Sequence, residues 1–502
     1  MKRQSFERGA GILCHISSLP NDYGIGSLGK EAYEFADFLS DAKVKYWQIL
    51  PLVQTGYGDS PYQSVCCRSG NPYFIDLEQL QSDGLLTKGE LEDAKTPEGN
   101  IDYGRLYVER YKTLRKAYAR FDTKNTEFAE FVAGGKFEDY ALFMALKQTY
   151  NVTFDKFPEE YKFKNKEALE KFKEKNRDEY LFWIFLQYEF FRQWKELKAY
   201  VNSKGIRIIG DIPLYVAYDS SDVWGRPELF DLDEDLNPVA VAGVPPDYFS
   251  KTGQLWGNPL YDWQRLEKEG YSWWTDRMAG ALELYDIVRI DHFRGFDRYY
   301  EIPADAPTAE TGKWKKGPGI SLFETIEKSL GKLSVIAEDL GVIDDGVIKL
   351  RDGTGFPGMK ILMFAFDGNK TNEYLPKFIA ENSVTYTGTH DNDTALGFIE
   401  NMTDEQFKEF SVNLRLALRY EGFHYPISKK EDAVKALCVC ALGTKSQISV
   451  VPIQDVLCLN NDSRMNTPST SSGNWQFRLK KIPSKAVASK FRIAVGNTGR
   501  SW

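Results

Sequence analysis

Short apolar runs, each bounded by turn-forming residues, recur along the chain. Most of them are nearly continuous stretches of hydrophobic side chains, such as VIA, ILMFAF and ISVVPI, and do not alternate with polar residues. Continuous apolar runs of this length are typical of strands that are buried on both faces of a parallel sheet. The pattern therefore predicts eight strands, at residues 11–17, 45–52, 206–216, 285–293, 332–340, 358–366, 383–390 and 447–457.

Segments with the spacing of amphipathic helices lie between several of these runs. Residues 30–43, for example, place apolar side chains along one face of a helix. Further helices are predicted at residues 263–284, 323–330, 403–419 and 432–442. A strand followed by a helix, repeated eight times, is the pattern of a (β/α)₈ barrel. We therefore predict an α/β protein with the TIM-barrel fold.

Three long segments interrupt this alternation, one after each of strands 2, 3 and 4. Residues 85–204 are rich in Lys, Glu and aromatic residues with helical spacing, and we predict that they form an inserted, mainly helical subdomain. Residues 217–262 and 294–319 are predicted to form an inserted loop subdomain near the active site. Barrel enzymes build their active sites at the C-terminal strand ends, which these insertions follow. We therefore interpret residues 1–502 as a single catalytic barrel with these insertions.

Acidic residues stand at the C-terminal ends of four predicted strands. Asp211 ends the third strand (IIGDIP), Asp291 the fourth (IVRIDHFRG), Glu338 the fifth (VIAEDLG) and Asp391 the seventh (YTGTHDND). Residues two apart on a strand share a face, so Arg289 is expected to point the same way as Asp291 and to favour its ionised form. An ionised aspartate beside a protonatable carboxyl is the arrangement that a retaining glycosidase needs.

Helix capping is the alternative explanation for these acids. A single aspartate at a strand end is often a helix N-cap, and for any one of them alone the two interpretations are about equally good. Four acid-bearing strand ends that converge on one barrel mouth argue against capping as the whole explanation. Asp339 and Asp393 are the acids best suited to capping or to a supporting role, and His15 is expected to be a core histidine.

Composition and charge exclude several classes of protein. The 502 residues include 64 Lys and Arg against 72 Asp and Glu, which gives a formal net charge of −8 and no basic footprint for nucleic acid. No apolar run reaches the length of about 18 residues that a membrane span needs, and no signal peptide is apparent at the N-terminus. The six cysteines include no CxxC pair. We therefore expect no nucleic-acid partner, no membrane partner, and a location in the reducing cytoplasm.

The sequence gives no sign of a metal site or a cofactor site. The four histidines are scattered without HExxH-like spacing. The acidic stretch DLDEDLN lacks the glycine and the terminal glutamate of an EF-hand loop, and no Rossmann fingerprint follows any strand. We therefore predict no metal and no cofactor. Aromatic residues make up 14% of the chain, and some of them are expected to line a site for ligands with apolar ring faces, such as sugars.

A set of longer motifs resembles one enzyme family. These motifs are TGYGDSPYQS, GNPYFIDL, GDIPLYV, QLWGNPLYDW, RIDHFRGF, AETGKWKKGPG, AEDLG, FPGMKILMFAFDG, YTGTHDNDT and RMNTP…NWQFR. They resemble the amylomaltases, the 4-α-glucanotransferases or disproportionating enzymes of the α-amylase-like clan. The resemblance runs from about residue 8 to residue 478 and is weakest in the helical insertion, while the tract Cys66-Cys67-Arg68 departs from the smaller residues expected there.

The resemblance implies a role for ten residues. Asp291 matches the family nucleophile, Glu338 the general acid/base and Asp391 the third carboxylate, which holds the sugar hydroxyls and favours the distorted ring. The remaining matches are substrate-binding residues. They are Arg289, which positions the nucleophile, His390, which bonds the sugar in the cleavage subsite, Tyr57, the aromatic platform under that sugar, and the flanking contacts Asp211, Trp256, His292 and Asp367.

The resemblance also implies the reaction. A retaining double displacement would transfer α-1,4-glucan segments from a maltodextrin donor to the 4-hydroxyl of an acceptor glucan or of glucose. The partners would be maltooligosaccharides, amylose, glycogen or starch, together with glucose. Two alternatives stay open at this point, namely an amylase-like hydrolase, in which water replaces the acceptor, and a non-catalytic glucan-binding protein. The oligomeric state does not follow from the sequence.

Overall fold

The strands of the protein form two separate sheets in the computed structural model, which describes residues 5–56, 58–246, 250–341, 343–470 and 472–501. Within these residues the strands are, in chain order, β1 (Gly9–Leu13), β2 (Tyr46–Gln48), β3 (Arg207–Ile212), β4 (Ala240–Val244), β5 (Gln254–Pro259), β6 (Ile287–Ile290), β7 (Arg298–Pro303), β8 (Lys313–Lys316), β9 (Val335–Ala337), β10 (Gly358–Ile361), β11 (Ser383–Tyr386) and β12 (Ile448–Pro452).

The larger sheet is a barrel of eight parallel strands. Its order is β10-β11-β12-β1-β2-β3-β6-β9, so that each strand lies beside the next barrel strand in sequence. All of the residues in β1, β2, β6, β9, β11 and β12 are buried, as expected when helices cover the outside of a parallel barrel. The predicted TIM-barrel fold is confirmed.

The barrel closes differently between β9 and β10. In the described part of the chain, no ladder of paired residues joins these two strands. The backbone N–H of Ala337 instead donates to the carbonyl of Pro357 at 2.9 Å. The carboxylate of Asp339 accepts a hydrogen bond from the N–H of Met359 at 2.7 Å. This side of the barrel is therefore held by a backbone hydrogen bond and a side chain, where the other sides have regular strand pairing.

Helices surround the barrel and fill the long connection between β2 and β3. In chain order they are α1 (Lys30–Asp41), α2 (Leu77–Ser82), α3 (Lys88–Asp93), α4 (Tyr103–Tyr118), α5 (Thr126–Ala133), α6 (Glu138–Tyr150), α7 (Glu159–Lys162), α8 (Lys166–Lys175), α9 (Arg177–Ser203), α10 (Ser221–Gly225), α11 (Trp263–Lys268), α12 (Ser272–Leu284), α13 (Ile320–Leu330), α14 (Asp345–Thr354), α15 (Ala395–Glu400), α16 (Asp404–Tyr420), α17 (Lys430–Gly443), α18 (Ile453–Val456) and α19 (Lys485–Asn497). None of the described helices is both long and apolar enough to span a membrane.

The long helix α9 fixes the loop that follows β2. The side chain of Gln187 accepts a hydrogen bond from the N–H of Gly70 at 2.7 Å and donates to its carbonyl at 3.1 Å. A Cβ at position 70 would lie 1.9 Å from the ring of Phe190, so only glycine allows this approach. The helical region is thereby joined to the loop that carries Tyr62.

The smaller sheet is antiparallel and has the order β5-β4-β7-β8. Its strands come from the segments that follow β3 and β6 at the C-terminal end of the barrel. A small cluster of Val241, Tyr300, Ile302 and Ala309 forms the core of this sheet. Trp256 lies on β5, at the edge of the sheet.

Several predicted boundaries differ from the observed ones. The apolar run at 358–366 is a strand only over Gly358–Ile361 and continues as a 3₁₀ helix at Leu362–Phe364. The run at 447–457 is a strand to Pro452 and then becomes α18. An apolar run indicates that the residues are buried, but it does not show where a strand ends. Here the chain turns at the strand ends while its side chains remain buried.

One predicted helix is interrupted. The segment 263–284 forms α11 and α12, which are separated at Gly270 and Tyr271. Both residues have left-handed backbone angles, with φ of 65° and 51°, which a continuous right-handed helix cannot contain. Helices α14 and α15 were not predicted, because they are short and only partly apolar.

Candidate active site

Arg289 and Asp291 meet at the C-terminal end of β6. The guanidinium Nη2 of Arg289 lies 2.9 Å from Oδ1 of Asp291, which is 29% exposed, whereas the Arg289 side chain is buried. The backbone N–H of Asp291 donates to the carbonyl of Ile212 at 2.9 Å. The end of β6 is thus fixed to β3, and the Asp291 carboxylate faces the open end of the barrel beside a permanent positive charge.

Asp211 on β3 holds Arg289 from the other side. Its Oδ2 accepts hydrogen bonds from Arg289 Nη1 at 2.6 Å and from the hydroxyl of Tyr62 at 2.8 Å. The Asp211 side chain is 0% exposed. Burial raises its pKa, and the two donors oppose that rise. Asp211 is thus in contact with Arg289 and Tyr62, and the flanking substrate contact that the resemblance implies for it stays a prediction.

Glu338 follows β9 and is held by two backbone donors. Its Oε2 accepts a hydrogen bond from the N–H of His292 at 2.8 Å, and its Oε1 accepts one from the N–H of Leu340 at 2.8 Å. Burial raises the pKa of Glu338 to about 7, and the neighbouring charge of Asp291 adds to the rise. The two acids therefore differ in environment, because Asp291 has a cation beside it and Glu338 is desolvated.

Asp391 and His390 follow β11. Oδ2 of Asp391 lies 3.3 Å from Nε2 of His390, and Oδ1 accepts a hydrogen bond from the side-chain amide of Asn466 at 2.7 Å. Arg464 donates to the backbone carbonyl of Asp391 at 2.7 Å. Burial lowers the pKa of His390, which favours the neutral ring. Asn466 and Arg464, which are close together in the chain, thus hold the side chain and the backbone of Asp391.

An aromatic stack lies beside these acids. The rings of Tyr62 and His390 are parallel, with centroids 5.2 Å apart and an interplanar angle of 10°. Trp475 packs against both of them, at 5.8 Å from Tyr62 and 5.9 Å from His390. Tyr62 is partly exposed, whereas His390 and Trp475 are buried. An aromatic face next to carboxylates suits a pyranose ring, whose axial C–H groups need contact and whose hydroxyls need acceptors.

The other predicted residues are placed less centrally. The ring of Trp256 meets that of His292 edge to face at 4.8 Å, so the small sheet reaches the rim of the carboxylate cluster. Asp367 is exposed and accepts hydrogen bonds from nearby residues, namely from the N–H of Asn369 at 2.9 Å and from the side-chain amide of Asn372 at 3.1 Å. The role implied for Tyr57 stays a prediction, because that residue lies outside the described residues.

His292 has an unusual backbone conformation. It is a non-glycine residue with φ of 52° and ψ of 46°, in the left-handed region. This geometry turns its N–H toward Glu338 immediately after Asp291. Burial lowers the pKa of its ring to about 4. The turn therefore links the two acids through a single residue.

Sequence reasoning assigned no role to Tyr62, Trp475, Asn466 or Arg464. All four lie within the motifs GYGDSPYQS and RMNTP…NWQFR, so their positions were known and their contacts were not. Asp393, predicted to have a capping or a supporting role, pairs with Arg464. Among the described residues, no group of three or more His, Cys, Asp or Glu side chains could hold a metal ion.

Comparison with known proteins identifies the family. The family described as 4-alpha-glucanotransferase matches residues 14–484. A 4-alpha-glucanotransferase of Clostridium butyricum is 47% identical over 473 residues, which cover 93% of this chain and 95% of that protein. One of Thermus thermophilus is 47% identical over 482 residues, with coverage of 94% and 95%.

Solved structures agree with the sequence relatives. The structure of amylomaltase from Streptococcus agalactiae in complex with acarbose superposes with a TM-score of 0.92 at 39% identity. That match covers 99% of this chain and 100% of the other. Amylomaltase from Corynebacterium glutamicum shares the fold, with a TM-score of 0.78 at 18% identity over 98% of this chain and 75% of that one. The protein described here belongs to the 4-alpha-glucanotransferase family.

Proposed function

We propose that this 4-alpha-glucanotransferase works by a retaining double displacement in which Asp291 is the nucleophile and Glu338 the general acid/base. The observation that carries the proposal is the contrast between the two acids. Asp291 lies 2.9 Å from the guanidinium of Arg289, which places a permanent positive charge beside this carboxyl group. Burial raises the pKa of Glu338 to about 7, which keeps a proton available near neutral pH. Two carboxyl groups in such different environments are suited to separate acid and nucleophile roles.

The first step breaks the glycosidic bond. Glu338 donates its proton to the glycosidic oxygen, and the leaving glucan departs with a free 4-hydroxyl. A carboxylate oxygen of Asp291 bonds to the anomeric carbon from the opposite face, which forms a covalent glucosyl-enzyme. Positive charge that develops on the sugar ring is stabilised by the carboxylate of Asp391, which the Asn466 amide and His390 hold in place.

The second step reverses the first with a new partner. The 4-hydroxyl of an acceptor gives its proton to Glu338 and attacks the anomeric carbon, and the bond to Asp291 breaks. Two inversions retain the α-configuration. We propose that maltooligosaccharides and longer α-1,4-glucans serve as donors and that glucose and glucans serve as acceptors. We also propose that the reaction takes place in the cytoplasm, a compartment that suits the free thiols of the six cysteines.

We propose that the stack of Tyr62, His390 and Trp475 forms the wall of the subsite that binds the donor sugar. Its support is the parallel contact of Tyr62 and His390 at 5.2 Å. Trp256 is a candidate contact for the acceptor, since its ring packs on His292 next to Glu338. Bulky residues near the reacting groups would exclude water and favour an acceptor hydroxyl over hydrolysis.

The test is the reaction of the purified protein with maltotriose. Transfer would produce glucose and a ladder of longer maltodextrins, while the total number of reducing ends stays constant. Hydrolysis would produce maltose and glucose, and the reducing ends would increase. We expect Asp291→Asn and Glu338→Gln each to lower kcat by more than about 10³-fold, because each removes a group that acts only in the transition state.

Asp352→Asn is a matched control for these variants. Asp352 is 64% exposed and pairs with Arg351 on the outside of the barrel. We expect its replacement to leave transfer unchanged. Wild-type-like activity of Asp291→Asn would contradict the assigned roles, and rising reducing ends with the wild-type protein would favour the hydrolase.

A further inference from the structure

Asp339, the residue after Glu338, lies at the seam between β9 and β10, where the described residues form no ladder. Its side chain is 3% exposed. Oδ1 accepts a hydrogen bond from the N–H of Met359 on β10 at 2.7 Å, and Oδ2 pairs with Nη1 of Arg351 on α14 at 2.7 Å. One carboxylate therefore ties the end of β9 both to the neighbouring strand and to the helix that precedes that strand.

A glycine on β10 leaves the space that this carboxylate occupies. A Cβ at Gly358 would lie 2.3 Å from Oδ2 of Asp339 and 2.7 Å from its Cγ. Real Cβ atoms essentially never come closer than 3.0 Å to another heavy atom. The backbone at position 358 has no positive φ. The requirement for glycine is therefore one of space, and the space is filled by Asp339.

Regular pairing holds Glu338 on one side only. Its N–H donates to the carbonyl of Ile290 at 3.0 Å, and its carbonyl accepts from the N–H of Phe293 at 3.1 Å, both toward β6. Toward β10, the nearest side-chain anchor is that of Asp339. Asp339 is also the one residue between Glu338 and Leu340, whose N–H donates to Oε1 of Glu338 at 2.8 Å.

We propose that Asp339 is a positioning residue for Glu338. By binding Met359 and Arg351 across the seam, its carboxylate fixes the turn that keeps the Leu340 N–H on the Glu338 carboxyl group. This inference rests on the proposed role of Glu338 as the acid/base. It differs from capping, because the carboxylate accepts from a neighbouring strand and not from the first turn of the next helix.

The expected consequence is a change in the protonation of Glu338. The N–H of Leu340 stabilises the ionised carboxylate and so lowers the pKa of Glu338. When the turn loosens, that donor is lost and the pKa of Glu338 rises. Other charged and titratable groups also face Glu338, namely Asp291, Arg289, His292, Arg294 and Tyr374. The variants described below leave these five residues unchanged.

Two variants test the inference from different sides. Asp339→Asn keeps the size of the side chain and an acceptor for the Met359 N–H but removes the charge that Arg351 binds. Gly358→Ala displaces the carboxylate and removes no polar group. For both we expect kcat with maltotriose to fall about tenfold or more while KM changes less than about twofold, as for a group that orients catalytic machinery. In Gly358→Ala, which keeps every charge, the basic limb of the pH profile of kcat should move to higher pH.

A control separates position from general stability. Asp352→Asn removes the other, exposed partner of Arg351 and should leave kcat and the pH profile unchanged. Thermal unfolding and circular dichroism give the fraction of folded protein, so that kcat is expressed per folded molecule. If Asp339→Asn does not fold, the kcat and pH profile of Gly358→Ala decide whether the inference holds.

Three results would overturn the inference. In the first, the variants keep wild-type kcat and pH profile; in the second, their activity falls only in proportion to the folded fraction. In both of these cases an inactive Glu338→Gln shows that the proposed function stands while this inference fails. The third result is an active Glu338→Gln variant. It would overturn both the proposed role of Glu338 and this inference, because Asp339 would then have no acid/base to position.

Discussion

Replacing Arg289 by Met is expected to damage stability and catalysis by separable routes. Nη1 of Arg289 lies 2.6 Å from Asp211, and these side chains are 4% and 0% exposed. Removal of one member of a buried ion pair leaves an uncompensated charge and typically costs about 3–5 kcal/mol of unfolding free energy. Arg289 also lies 2.9 Å from Asp291. The same substitution therefore takes away the cation beside Asp291, the proposed nucleophile.

A second substitution separates the two effects. In the double variant Arg289→Met with Asp211→Leu, the buried carboxylate is gone as well, and replacement of a whole buried pair by apolar side chains is often near neutral. The hydroxyl of Tyr62 loses its acceptor, at a cost of about 1–3 kcal/mol. We therefore expect the double variant to be more stable than Arg289→Met. The transfer activity of the double variant should be as low as that of Arg289→Met, because Asp291 still lacks the neighbouring cation.

The two quantities are measured side by side. Urea unfolding followed by tryptophan fluorescence gives the unfolding free energy of the wild type, the two single variants and the double variant. Product analysis with maltotriose gives kcat/KM for the same four proteins. If the loss of unfolding free energy in the double variant equals the sum of the losses in the two single variants, the reasoning about the buried pair is refuted. Recovery of transfer in the double variant would refute the role of Arg289 beside Asp291.

Two further predictions concern the acid/base and the aromatic wall. Burial raises the pKa of Glu338 to about 7. Because the proposed first step needs the protonated form of Glu338, kcat should fall as the pH rises through about 7. A pH profile of kcat with maltotriose checks this, and a basic limb near pH 5 would contradict it. Tyr62→Phe keeps the ring on His390 and loses the 2.8 Å hydrogen bond to Asp211, so we expect kcat/KM to fall about tenfold. Tyr62→Ala also loses the ring, so its kcat/KM should fall at least tenfold further. Equal activity of these two variants would show that the ring does not contribute.

The barrel and its acids could be predicted from the sequence for a physical reason. Strands buried on both faces give continuous apolar runs, and parallel strands bring their C-terminal ends together. The positions of Asp291 and Glu338 after such runs therefore indicated one site before any coordinates were known. The structure brings them together with Arg289 and His292.

Contacts between distant segments could not be predicted in the same way. The hydrogen bond from Tyr62 to Asp211 joins residues 149 apart in the chain, and no local pattern encodes it. The break between α11 and α12 depends on the left-handed backbone of Tyr271, which side-chain polarity does not reveal. The sequence marks Asp339 as a candidate for capping or for a supporting role, because an acid after a strand is the usual signal for a cap. Its partners Met359 and Arg351 became apparent only with the packing of the seam.

The left-handed turn at His292 has a consequence for how this enzyme could be made more heat-resistant. Such a backbone angle costs a residue with a side chain roughly 1–2 kcal/mol, and glycine would relieve most of that cost. The same angle aims the N–H at Glu338, and glycine would also allow many other angles in the unloaded site. Selection for thermal tolerance and selection for turnover therefore act on residue 292 in opposite directions. Libraries screened for heat resistance alone would enrich substitutions at this position that slow the enzyme.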